Sequence, residues 1–197
     1  MISELQAYKQ SVITEAVTHG LNPNVKMKDS GIEWIGEIPM EWKTCKVKNV
    51  VNLITNKVSI DKELVVALEN IESGTGKYIE TENKYIGEGV LAKKNDILFG
   101  KLRPYLAKVL LCNKELVAFG DIYVLRCMKE LYAGFWTKYF ISDPFIKWID
   151  SSTYGTKMPR TNWDFIAQTY VVVPPLSEQQ TIATYLDAKC SDIDRLS

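Results

Sequence analysis

The first twenty residues place Leu5, Tyr8, Val12 and Ala16 at steps of three and four, which puts them along one side of a helix. Gly20 follows as a C-terminal stop. A lone helix with such a seam is unstable in water, so this arm must pack on the domain, on a second arm or on a partner. The far end repeats the arrangement. An apolar strand-like run at 169–173 is closed by Pro174 and Pro175, and Ser177 with Gln180 three residues later has capping-box spacing. Ile182, Leu186, Ile193 and Leu196 supply the stripe of this second helix, with Cys190 beside it. Between the arms the pattern changes to short β-rich runs at 47–54, 65–68, 97–99, 107–112 and 122–127, punctuated by glycines such as Gly74, Gly87, Gly100 and Gly120. Helical segments follow at 131–142 and 144–150. The pattern predicts an α+β fold: one mixed globular domain, residues 21–173, flanked by amphipathic, coiled-coil-type helices at 1–20 and 174–197.

Composition narrows the function classes. A chain of 197 residues with 46% hydrophobic content builds one sizeable core. Its purely apolar runs, such as 171–173, are far too short to cross a bilayer, and residues 1–6 lack the basic-then-apolar order of an export signal. A cytoplasmic protein without membrane contact is expected. The four cysteines, Cys45, Cys112, Cys127 and Cys190, are scattered without a C-x-x-C pair, which gives no support to a metal site or disulfide framework. Net charge is zero, against any grip on nucleic acid by bulk electrostatics. The distribution is uneven, however. Residues 60–92 hold seven acids and three lysines, whereas 93–108 hold five bases and one acid. Folding can therefore still present a basic face.

An enzyme reading finds little to use. The single histidine, His19, stands near the end of the first arm, where a cation suits the helix dipole, so a histidine triad or metal cluster has no material. No G-x-G-x-x-G or P-loop spacing cradles a nucleotide, so no cofactor is expected. An adenine methyltransferase needs a polar residue before Pro-Pro and an aromatic after it, and Val173-Pro174-Pro175-Leu176 has neither. Asp143, Lys147 and Asp150 could suggest a nuclease, but they read as the wet face of a helix whose apolar part is Phe145, Ile146, Trp148 and Ile149.

Two cationic loops remain. Residues 100–108 mix Lys101, Arg103, Tyr105 and Lys108 in a turn stiffened by Pro104, and residues 152–163 carry Tyr154, Lys157, Arg160, Thr161 and Asn162 without an acid. Arg103 can fork onto a guanine or a phosphate, lysines neutralise phosphates, and Tyr105 can stack or donate. These nine residues are the DNA-binding candidates; the competing reading is two ordinary surface loops.

Four stretches decide the weighting. They are Asp29-Ser30-Gly31-Ile32-Glu33-Trp34-Ile35-Gly36-Glu37-Ile38-Pro39 ahead of Trp42, the segment 100–108, the segment 154–163, and Pro174-Pro175-Leu176-Ser177-Glu178-Gln179-Gln180 running into Ile182. In order and spacing the chain resembles the specificity (S) subunit of type I restriction–modification systems. The resemblance implies a target recognition domain that reads one half of a split DNA site, with helices that set the distance between halves and dock the modification (M) subunit and, through it, the restriction (R) subunit. It implies that S-adenosylmethionine, ATP and magnesium belong to those partners and that this chain is non-catalytic. A full subunit carries two recognition domains, so one domain makes this a half subunit or a fragment. The resemblance also favours a phosphate or structural role for 100–108 and leaves the roles of Lys157, Arg160 and Asn162 open. The arms are expected to pair, within the chain as an antiparallel coiled coil or between chains as a homodimer. The rival readings are a protein-interaction module that binds the modification subunit without reading DNA and, third, a DNA adenine methyltransferase.

Overall fold

The computed structural model describes residues 2–61, 64–154 and 157–196. Helix α1 (Ile2–His19) leads to the short strands β1 (Met27–Asp29), β2 (Glu37–Pro39) and β3 (Lys43–Lys46), then β4 (Val51–Ile54), β5 (Lys57–Ser59), β6 (Val65–Val66), β7 (Glu88–Ala92) and β8 (Ile97–Gly100). Strands β9 (Val109–Leu111), β10 (Leu116–Ala118) and β11 (Ile122–Cys127) precede helices α2 (Ala133–Ile141), α3 (Asp143–Asp150) and α4 (Trp163–Gln168). Strand β12 (Tyr170–Val173) and helix α5 (Leu176–Asp194) follow. The expected α+β order, strands first and helices after, is the one that forms.

An antiparallel sheet ordered β4-β11-β8-β9 organises the interior. All four residues of β8 are buried, because both faces of this strand are covered. Phe99 meets Phe140 and Phe145 of the helical layer edge-on, at 6.4 and 6.2 Å. Leu98, one position earlier, joins Leu110, Val124 and Ala118 in a second cluster beneath the sheet ordered β5-β7-β10-β6. A slip of one residue would exchange the two sets, so the two layers together fix the register.

The terminal helices do not stand apart from the domain. Helices α1 and α5 run antiparallel against each other and both pack on α2. At one end Lys9 Nζ donates to Asp194 Oδ1 at 2.7 Å. At the other, Gly20 abuts the Glu178 carboxylate, whose Oε2 accepts a 2.8 Å hydrogen bond from Trp42 Nε1. Their buried stripes, Ile13, Ala16 and Val17 on α1 and Ile182, Ala183, Leu186, Cys190 and Ile193 on α5, belong to one core with α2 and α3. The α5 stripe is the one expected from Ile182, Leu186, Cys190 and Ile193, with Leu196 falling beyond the helix end, whereas the α1 seam is rotated: Ala16 is buried but Tyr8 is 49% exposed. The cause is Lys9, a polar residue drawn into the buried stripe by its carboxylate partner and so invisible to an apolar count.

The capping box does not form. Helix α5 begins at Leu176, with Pro175 at its N-cap, two residues ahead of Ser177. Gln179 acts instead: buried, its Oε1 accepts from Tyr132 N at 3.0 Å and its Nε2 donates to Pro174 O at 2.9 Å, tying the start of α5 to the start of α2. Further differences have a common origin. Residues 47–49 form a 3₁₀ turn rather than strand, and β1, β2, β3, β5, β7, β10 and α4 arise where the pattern predicts no element. Each spans one helical turn or a few strand residues, too short to display a period.

A half-buried ion pair ties the end of β11 to the start of β8. Asp96, whose side chain is 2% exposed, accepts Arg126 Nε and Nη2, both at 2.7 Å, and Lys93 N at 2.7 Å. Removing the carboxylate leaves the Lys93 amide unsatisfied and a partly solvated arginine unpaired, so Asp96→Ala is expected to lower stability by about 1–3 kcal/mol in urea unfolding. A loss below 1 kcal/mol would show that the pair is dispensable.

Asp194 gives a pH signature. Burial pushes its carboxyl up, but hydrogen bonds from Lys77 and Lys9 outweigh that and hold it below the ordinary aspartate value. A lowered folded-state value stabilises the protein above the unfolded-state value, about 3.9 for aspartate, and that contribution is lost as pH falls through the folded one. Asp194→Asn should therefore unfold at lower urea than the parent at pH 6, with the gap closing below about pH 4; a constant gap would show that the charge is irrelevant.

Candidate nucleic-acid interface

Strand β8 ends at Gly100, where a Cβ would lie 2.9 Å from Leu68 Cδ2 and 3.2 Å from Lys108 O. A Cβ here would crowd the point where the chain leaves the sheet beside its own return. The segment then turns through a 3₁₀ step at Pro104–Leu106, with Arg103 and Ala107 on either side in the left-handed region, φ +49° and +47°. That conformation is costly for residues with a Cβ, and hydrogen bonds hold it: Arg103 N donates to Pro159 O and Ala107 N to Pro104 O, both at 2.8 Å. Lys108 is turned inward, its Nζ donating to Leu68 O at 2.7 Å and Ile71 O at 2.9 Å.

The second loop joins α3 to α4. Tyr154 and Arg160 exchange main-chain hydrogen bonds across it, Arg160 bridges to Leu102, and Thr161 N donates to Lys101 O at 3.0 Å. The two cationic loops are therefore stitched into one surface by main-chain groups of residues more than fifty positions apart. Gly155 and Thr156 lie outside the described residues. Asn162 caps α4, its Oδ1 accepting from Phe165 N at 2.9 Å, and Thr161 is buried beside it. Arg103, Tyr105, Tyr154 and Lys157 are exposed, with Tyr105 at 53% and Tyr154 at 74%. Lys101 Nζ sits 5.1 Å over the Tyr123 ring, which meets Trp163 at 6.2 Å.

The structure thus joins the two loops that carry the nine sequence candidates and divides the candidates among different surroundings. Lys101, Lys108, Thr161 and Asn162 are engaged in or buried within the frame; Arg103, Tyr105, Tyr154 and Lys157 face outward. Arg160 lies between these cases, forked onto Asp121 by Nε–Oδ1 at 3.2 Å and Nη2–Oδ2 at 2.9 Å. Asp121 and Tyr123 were not legible as site residues, because the run 122–127 reads only as strand and no local pattern ties it to residue 160.

Other chemistry has little to stand on. Among the described residues no group of three or more His, Cys, Asp or Glu could hold a metal. The cysteines are free, and burial, with Asp96 nearby, pushes the thiols of Cys112 and Cys127 up to about 12, away from nucleophilic behaviour. His19 contacts Thr18 Oγ1 at the end of α1, as a helix-terminal residue does. Lys147 pairs with Asp143 one turn away along α3. No described helix is long and apolar enough to cross a membrane.

Residues 39–195 match the type I restriction modification DNA specificity domain. The chain belongs to that family. Among its relatives, the EcoDI specificity subunit of a type I restriction enzyme from Escherichia coli is 24% identical over 153 residues, which is 74% of this chain and 34% of that protein. The MjaVIII specificity subunit from Methanocaldococcus jannaschii is 24% identical over 100% of this chain and 42% of its own length. The fold agrees with solved structures. A chain from a study of complex assembly and conformational transition of the type I R-M system aligns with TM-score 0.65 at 13% identity, over 98% of this chain and 46% of that one. The HsdS subunit from Thermoanaerobacter tengcongensis gives 0.61 at 16% identity over 98% and 45%. This chain spans less than half the length of each of these proteins. The matched family is a DNA specificity domain rather than a catalytic one.

The close approach at Gly100 makes the specificity domain's loop frame testable. Gly100→Ala is expected to cost about 1–3 kcal/mol and to speed hydrogen exchange at the Arg103 and Thr161 amides, which depend on the stitched geometry. Unchanged exchange at both would mean that the frame does not depend on this contact.

Proposed function

We propose that this chain is a DNA-reading element of a type I specificity subunit, presenting the stitched loop surface to one half of a bipartite double-stranded target. The observation that carries the reading is the frame itself. Main-chain hydrogen bonds from Arg103 to Pro159 and from Thr161 to Lys101 hold two cationic loops together while Arg103, Tyr105, Tyr154 and Lys157 stay exposed. The hydrogen-bonded residues of this surface are positioned before DNA arrives, so binding does not have to supply their ordering entropy. Arg103 makes no side-chain ion pair among the described residues, and its guanidinium is available to phosphate. The non-catalytic role fits a division of labour in which S-adenosylmethionine, ATP and magnesium are handled by partner subunits.

The antiparallel helices α1 and α5 offer the second surface of this proposal. Tyr8, Val12 and Tyr185 lie partly open along it. Through it the chain reaches the modification subunit, and the restriction subunit beyond, or a second copy of itself in a homodimer.

The test is binding of fluorescent duplex DNA at low salt by the parent and by the doubly charge-reversed Arg103→Glu, Lys157→Glu chain. Each lost phosphate contact should lower the slope of log affinity against log salt by about 0.9, and together they should weaken binding at least about tenfold. A double variant that binds as tightly as the parent, with the same slope, would favour the interaction-module reading and discard this face.

A further inference from the structure

Arg160 differs from the other exposed cations of the loop surface. Its backbone is held on both sides, by the paired hydrogen bonds with Tyr154 and by the bridge to Leu102. Its guanidinium is held as well, by the two-point contact with Asp121. Asp121 is itself fixed, because its main-chain oxygen accepts from Lys101 N at 3.0 Å, and Lys101 O accepts from Thr161 N next to Arg160. A closed circuit therefore locks one arginine in one orientation while its side chain remains 47% exposed.

A fixed arginine with a carboxylate at 2.9 Å is poorly suited to phosphate. The aspartate cancels the charge that a phosphodiester requires and would repel the phosphate in its place. Base edges impose no such penalty. Of the five guanidinium N–H donors, Asp121 uses the Nε–H and one on Nη2, leaving three, including a pair at the far end with the spacing of guanine O6 and N7. A neighbouring carboxylate can also accept from a cytosine amino group.

We infer that Arg160 reads a guanine in the target and that Asp121 is the positioning residue that aims it, whereas Arg103 and Lys157 serve phosphates. This rests on the DNA-reading function proposed above and adds which side chain discriminates. The two roles predict opposite signs for one substitution. Asp121→Asn removes a negative charge from the DNA-facing surface; if the pair were only a structural tie, every duplex should be bound equally well or more tightly.

The experiment is selection of bound duplexes from a pool with a randomised central segment, at low salt, using the parent chain, Asp121→Asn, Arg160→Lys and the Arg103→Glu, Lys157→Glu chain. Thermal melting of each confirms that it is folded. The parent should enrich a short motif containing guanine. In Asp121→Asn and Arg160→Lys the preference for that guanine should fall about tenfold or more while other motif positions and random-duplex affinity are retained. The doubly charge-reversed chain should lose affinity for all sequences and keep the guanine preference in whatever it still binds. A motif unchanged in both Asp121→Asn and Arg160→Lys, or uniformly tighter binding by Asp121→Asn, overturns this inference and leaves the DNA-reading function standing. Failure of the parent to bind any duplex overturns both.

Discussion

The burial of β8 on both faces is the constraint from which the rest of the molecule follows. Ile97 and Phe99 are claimed by the helical layer and Leu98 by the second sheet, so the strand cannot shift by one residue or tilt away from either neighbour. Its last residue, Gly100, is delivered to a defined point with the chain's return already in contact at Lys108 O. The loop that follows inherits that precision. Lys108 then pins the returning strand to the carbonyls of Leu68 and Ile71, so both ends of the cationic turn are anchored in packed structure.

The terminal helices contribute to the same core. Burial of Ile13, Val17, Ile182 and Leu186 against α2 makes α1 and α5 part of the fold, with Lys9, Lys77 and Asp194 joining them to the loop region around residue 77. Gln10 Nε2 reaches Gly74 O, and Gly74 N donates to Ala107 O, at the end of the 3₁₀ step in the cationic turn. The surface assigned to DNA and the helices assigned to partner subunits are thus joined through a single intervening loop.

Much of this was legible in the sequence, and what was not has physical reasons. The α+β order, both terminal helices and the central strands near 97–99, 109–111 and 122–127 follow from apolar periodicity, because these elements are long or fully buried. The face of α1 did not, because an apolar count assigns Lys9 to solvent while an ion pair places it inside. The start of α5 did not, because Gln179 satisfies main-chain groups of distant segments rather than its own first turn. At the loop surface the cationic residues could be named from composition, but their division into framework and outward-facing members could not. That division depends on Asp121, Leu68 and Pro159, contacts made across the fold.

The stitching between the two loops uses amide hydrogens and carbonyl oxygens: Arg103 to Pro159, Thr161 to Lys101, Tyr154 to Arg160. Carbonyls are common to every residue and amide hydrogens to every residue except proline, so the geometry of the surface is largely independent of which side chains it displays. Positions such as 105, 154 and 157 can turn over in a lineage without redrawing the backbone that presents them. The main-chain frame is in that sense a fixed page, and the exposed side chains are its replaceable letters.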